Sequence, residues 1–189
     1  MYGQEEIIIM TIEALAKGYM TAPAYEAPIS LVKEFRQFVI DLAKVELQGV
    51  NFEYVDYQPY FRGADLCLHD IKADFEQGNV KISAQYNESD LLGKDVNLIY
   101  RCIHERHHVK LDVDFGWEGE CAIAAHIMSF TDNLLFKQLL YSEGLGQVAV
   151  RLHTGEFPDD QKVVLFDEEV IHCMEKTMKN VRNIRCQNH

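Results

Sequence analysis

The sequence predicts a mainly α-helical fold, an irregular helical bundle with at most a small two-stranded sheet. Apolar residues recur at three- and four-residue intervals through most of the chain, and clear strand-like alternation is confined to Val80–Ala84. The apolar stretches also end at glycines or turn-forming residues, as helices do. With 189 residues, 48% hydrophobic and 25% charged, the chain reads as a single helical domain over residues 1–189. That is long enough to bury a core without disulfides or a structural metal.

A first helix is expected over Gln4–Gly18, where Ile8, Ile12, Leu15 and Ala16 have helical spacing and Gly18 marks a stop. After the proline-containing stretch Thr21–Pro28, Ser30 offers an N-cap. Leu31, Phe35, Phe38, Val39, Leu42 and Leu47 then form an amphipathic stripe. Val50–Arg62, rich in Tyr and Phe, reads as extended or loop chain over the core. Helical spacing returns over Ala64–Gln77 through Leu68, Ile71 and Phe75 and stops at Gly78. The strand that follows needs a partner, for which Val163–Leu165 is the candidate. Asn87–Asp90 is turn chemistry, and a long helix runs from Leu91 to about Leu111. Asp112–Gly119 reads as a loop, and Glu120–Leu140 as a strongly apolar helix whose Ala-rich start permits close packing. Gly144 and Gly146 interrupt it, and Gln147–His153 resumes as helix. A turn region ends at Asp160, and Glu168–Asn180 is a last helix with Lys176 and Lys179 near its C-terminal end.

Charge and cysteines exclude several function classes. Lys and Arg total 18 against 30 Asp and Glu, a net charge of -12, and that field disfavours general nucleic-acid binding and anionic membranes. The five cysteines, Cys67, Cys102, Cys121, Cys173 and Cys186, are odd in number and include no Cys-x-x-Cys. This argues for reduced thiols in a cytoplasmic protein and against a disulfide framework or thiolate zinc site. Neither a membrane span nor a signal peptide is expected. The sequence has no Gly-rich phosphate loop and no Gly-x-Ser-x-Gly elbow. It points to no particular substrate or oligomeric state.

The chemistry is concentrated in Arg101-Cys-Ile-His104-Glu105-Arg-His107-His108. On a helix, His104 and His108 share a face, so two imidazoles can bind one cation with Glu105 beside it, the His-Glu-x-x-His arrangement of zinc enzymes. Glu105 and His108 also have the Glu-x-x-His spacing of di-iron and di-manganese bundles, so spacing alone does not choose between them. Without a metal, the same segment would be a solvated, charge-rich helix face. A zinc site needs a third protein ligand, and Glu118 and Glu120 stand just before or at the start of the next helix, with His126 about two turns further on. Arg101, one turn before Glu105, is placed for an ion pair or a substrate anion. Glu143 and Gln147 are four apart on a later helical segment.

The Glu-x-Glu-Cys-Ala-x-Ala-Ala stretch from Glu118 resembles the second helix of small gluzincin peptidases of the repressor-cleaving kind, where an acidic residue completes the site. Here the interval from His108 to Glu120 is shorter, and a peptide-binding antiparallel sheet is barely visible. A wider pattern runs through Pro59-Tyr60, Asp70, Asp74, Glu76-Gln-Gly78, Asn97, Arg101 to His108, Phe115-Gly116, Gly119-Glu120, His126 and Glu143-Gly-Leu-Gly-Gln147. It resembles an uncharacterised family of phage-encoded helical proteins with an Arg-x-x-His-Asp segment followed by Gly-His, Phe-Gly, Gly-Glu, His and Glu-x-x-Gly-Gln. This chain has Glu105 where that family has Asp, His107 in place of a Gly, and one residue fewer between the two histidines. The resemblance implies no known activity, but it does imply that His104, Glu105, His108, Glu120, His126, Glu143 and Gln147 belong to one site.

The functional expectation is therefore a metal-dependent enzyme, hydrolytic by preference. His104, His108 and Glu120 would hold a divalent cation, zinc before iron or manganese. Glu105 would be the general base towards a water that the cation acidifies. Arg101 would assist, and His126 and Glu143 would be outer or additional ligands. Two alternatives are a ferritin-like di-iron or di-manganese oxidase and an acidic phage-derived interaction protein without catalysis.

Overall fold

In the computed structural model the described residues are 11–62, 65–159 and 161–176. The fold is mainly α-helical, as expected, and the chain divides into two compact units. One comprises residues 26–119 and 161–163; the other comprises 1–25, 120–160 and 164–189.

In the 26–119 unit, helix α2 (Ile29–Glu46) starts at Pro28 rather than at Ser30. The Pro28 carbonyl accepts the first helical bond, from the Val32 N–H. Phe35, Val39 and Leu42 form its buried face, each worth about 1.5–3 kcal/mol relative to exposure. That face packs on α4 (Gly93–Leu111). Arg36 ties α2 to the approach to α4, donating to the carbonyls of Leu91 and Asp90 at 2.7 and 3.0 Å.

The aromatic stretch after α2 resolves into β1 (Asn51–Val55) and β2 (Phe61–Arg62). The start of the expected Ala64–Gln77 helix is instead β3 (Asp65–Leu66), antiparallel to β2, so α3 is shorter, Leu68–Gln77. Gly78 ends α3 in the left-handed conformation, φ 73°, where glycine pays no Cβ penalty. Strand β4 (Asn79–Ser83) then lies parallel to β1, from Asn51↔Asn79 to Val55↔Ser83. This corrects the expected pairing with Val163–Leu165: residues 161–167 form no strand, and the Val164 N–H is taken by Ser142 Oγ at 2.9 Å. A parallel pair needs a crossover, and α3 supplies it, packing on both β4 and α4. The core here joins Tyr60, Ile71, Phe75, Val80, Ile82 and Cys102, with Phe52, Val109 and Phe115 against it.

In the other unit, α1 (Ile12–Thr21) is capped by Thr11, whose Oγ1 accepts from the Ala14 N–H. The helix passes through Gly18, the expected stop, because the next residue, Tyr19, is buried and extends the Leu15–Ala16 face. Residues 4–10 of the expected helix lie outside the described ones. The single helix expected over Glu120–Leu140 is two: α5 (Trp117–Met128) and α6 (Leu134–Tyr141). Between them the Ser129–Asn133 segment ends one helix and starts the next. Ser129 Oγ donates to the His126 carbonyl, and Asn133 Oδ1 accepts from the N–H groups of Leu135 and Phe136.

Gly144 and Gly146 do not break the chain's helical course. They lie in a π-helical turn, Ser142–Gly146, joining α6 to α7 (Gln147–Thr154). A Cβ on Gly146 would stand 2.5 Å from the Tyr19 ring, so the missing side chain is what lets α1 lie against this turn. Residues 168–176 are helical, with Lys137 bridged to Glu175 at 2.8 Å. The rest of the expected last helix, with Lys179, lies outside the described residues. Among the described residues, no helix is long and apolar enough to cross a membrane.

Candidate metal centre

The cluster is built on the last two turns of α4 and the first turn of α5, joined by residues 112–116. The division between the two units falls within α5, after Gly119, so a single helix turn carries Glu120 on from the 26–119 unit.

Helical spacing sets the His104 and His108 rings edge to face, with centroids 4.6 Å apart. His108 is fully buried, and the Phe115 ring lies over it at 4.0 Å. Helix α4 ends at Asp112, held left-handed (φ 54°, ψ 49°), with its N–H directed to the carbonyls of His108 and Val109. Lys72 pairs with the Asp112 carboxylate. The turn brings the Val113 carbonyl 3.1 Å from His108 Nδ1. A carbonyl only accepts, so Nδ1 carries the proton and Nε2 the lone pair. Metal-binding histidines are held in this way, with the second nitrogen donating to a backbone carbonyl or a carboxylate.

Glu120 sits in the first turn of α5 with 6% of its surface exposed. One ligand atom each from His104, His108 and Glu120 lie within 4.8 Å of one another. A tetrahedral ion with ligands at about 2.0–2.1 Å spaces them about 3.3 Å apart, so side-chain rotation of modest size would close the set. Two imidazoles and one carboxylate are the donor set of many catalytic zinc sites. The site can therefore hold a metal ion.

Glu105 lies beside this group. Its Oε1 is 3.8 Å from His104 Nδ1, and its buried Oε2 has no hydrogen-bond partner among the described residues. Arg101 is committed elsewhere: Nη1 donates to the carbonyls of Ser83 and Gln85, and Nη2 to that of Tyr86, at 2.7–2.8 Å. Burial pulls its pKa down, with Glu105 acting in the opposite sense. Its work in the fold is to tie the chain after β4 to α4, which the i, i+4 spacing with Glu105 did not reveal.

His126, on α5, packs edge to face with Phe130, ring centroids 5.1 Å apart. Buried Glu143 accepts from Gln147 Nε2 at 3.2 Å on the π-turn. Both lie outside the group of three ligand atoms. Glu118 is exposed.

His107, next to the cluster, is fully buried and donates through Nε2 to Glu46 Oε2 at 3.0 Å, an oxygen shared with Lys110 at 2.8 Å. Glu46 on α2 thereby fixes the face that α4 presents. Tyr60 donates to Asp74 Oδ2 at 2.9 Å and accepts from the Lys81 N–H at 2.8 Å. Burial, helped by Asp74 and Glu105, raises its pKa. Burial also pushes the Cys102 thiol up to about 12, consistent with the lack of any nucleophile signature around the cysteines.

Sequence spacing did not reveal the Val113 carbonyl, the Phe115 cover or Gly119. Phe115 and Gly119 stood in the wider sequence pattern, in its Phe115-Gly116 and Gly119-Glu120 pairs, but with no role attached. Comparison of the chain with family models, curated proteins and solved structures finds no match, so the phage-family resemblance rests on the sequence pattern alone.

Proposed function

We propose that this protein is a metal-dependent hydrolase in which His104, His108 and Glu120 hold a divalent cation, zinc by preference. The observation that carries this reading is the convergence of the three ligand atoms within 4.8 Å, on a donor set of two imidazoles and one carboxylate. The His108 tautomer supports it, since the bond to Val113 leaves the metal-binding nitrogen deprotonated.

A cation held by these three residues would supply Lewis-acid chemistry and would acidify water beside Glu105. Glu105 is the general base: its buried Oε2 has no hydrogen-bond partner among the described residues, and a carboxylate placed there can take a proton from the attacking water and deliver it to the leaving group. Arg101, tied to three carbonyls, holds the chain after β4 against the helix that carries Glu105. Phe115 excludes water from one side of His108.

The test is elemental analysis of protein purified without an affinity tag. About one zinc per chain is expected, and His104→Ala and Glu120→Ala should each lower the occupancy. Two irons or manganese ions per chain would favour the oxidase. An intact fold with no bound metal, before and after incubation with Zn2+, would overturn the metal reading in favour of a non-catalytic interaction protein.

A further inference from the structure

The first turn of α5 lies closer to the preceding loop than any side chain would permit. A Cβ on Gly119 would stand 1.9 Å from the Asp114 carbonyl oxygen and 2.9 Å from its carbon, whereas real Cβ atoms essentially never come within 3.0 Å of a neighbour. Gly119 is not among the positive-φ residues, so its backbone conformation is open to any amino acid. Space alone demands glycine. At Gly116 the neighbour is different: a Cβ would meet a side-chain atom, Asp114 Oδ1 at 3.1 Å, which accepts from the Gly116 N–H at 3.0 Å, and no backbone atom.

We infer that Gly119 is a positioning residue for the metal centre, letting α5 begin at the depth that brings Glu120 to His104 and His108. The inference rests on the metal reading above. A side chain at 119 must move the turn away from Asp114 by about 1 Å. The Glu120 carboxylate already has to rotate to close the set from 4.8 Å, and that displacement lengthens the gap it must span. Glu120 is the residue that follows, so its backbone moves with the turn.

Co2+ titration of the full chain, followed by visible absorption, tests this. Gly119→Ala is expected to weaken Co2+ binding roughly 10–100-fold and to lose the strong tetrahedral bands, the size of effect that loss of an outer-shell support has. Gly116→Ala should bind as the wild type does. In a Glu120→Ala background, Gly119→Ala should cause no further loss, because its effect runs through Glu120. Wild-type affinity in Gly119→Ala, or an equal additional loss in the Glu120→Ala background, would overturn the inference. If Gly119→Ala does not fold, Glu120→Asp reports on the same quantity by withdrawing the carboxylate about 1.5 Å. Tight Co2+ binding by that variant would also overturn the inference. A wild-type chain that binds no Co2+ would overturn the metal reading itself, a result distinguishable from the others.

Discussion

Replacing Glu120 by Gln removes one negative charge from the three-residue group at nearly constant side-chain volume, which makes it the sharpest probe of the site. A cation that binds only the folded chain stabilises it by about 2.7 kcal/mol at a free concentration 100 times its Kd. For a chain of 189 residues, that corresponds to a Tm rise of about 5–11 °C. Loss of a charged ligand lowers affinity by at least the roughly 10–100-fold seen for outer-shell partners. At the same metal concentration the gain then falls to about 0.4–1.4 kcal/mol, or about 1–6 °C. The assay is thermal unfolding by circular dichroism with and without Zn2+, compared within each variant so that any change in the metal-free fold cancels. An identical Zn2+-induced shift in wild type and Glu120→Gln would refute the assignment of Glu120 as a ligand.

Two further perturbations test the scaffold of the site. Tyr60→Phe deletes the phenol that donates to Asp74 and accepts from the Lys81 N–H. The N–H and the carboxylate that lose their partner are part-buried, so urea unfolding should show a loss of about 1–3 kcal/mol. A loss well below 1 kcal/mol would mean that water replaces the phenol. Burial raises the Glu46 pKa, but hydrogen bonds from Lys110 and His107 more than offset this and leave it below the usual value of 4.5. The stability this carboxylate contributes is thus complete above its unfolded-state pKa and is lost as pH falls through the lower, folded-state value. Denaturant midpoints measured from pH 7 down to 3 should drop less in Glu46→Gln than in wild type, and parallel curves would exclude Glu46 as a source of acid sensitivity.

Much of the site was readable before folding was considered. Three- and four-residue spacing located α2 and α4, and Gly78 marked the end of α3. The interval between His104 and His108 implied a shared face because a helix repeats every 3.6 residues. Glu120 could be named as a third ligand because it opens the next apolar helix. These are short-range properties, and local sequence determines them.

What required the tertiary structure was every feature that depends on residues distant in sequence or on backbone atoms. The partner of β4 is β1, 28 positions away in register, and nothing in the Tyr- and Phe-rich stretch marked it over Val163–Leu165. Arg101 spends its donors on the carbonyls of Ser83, Gln85 and Tyr86. Every residue type offers the same carbonyl, so composition and spacing cannot announce such a bond. The Val113 carbonyl that selects the His108 tautomer and the Asp114 carbonyl that requires glycine at 119 were hidden for the same reason. Side-chain identity declared which groups could bind a cation. The path of the main chain decided which of them meet.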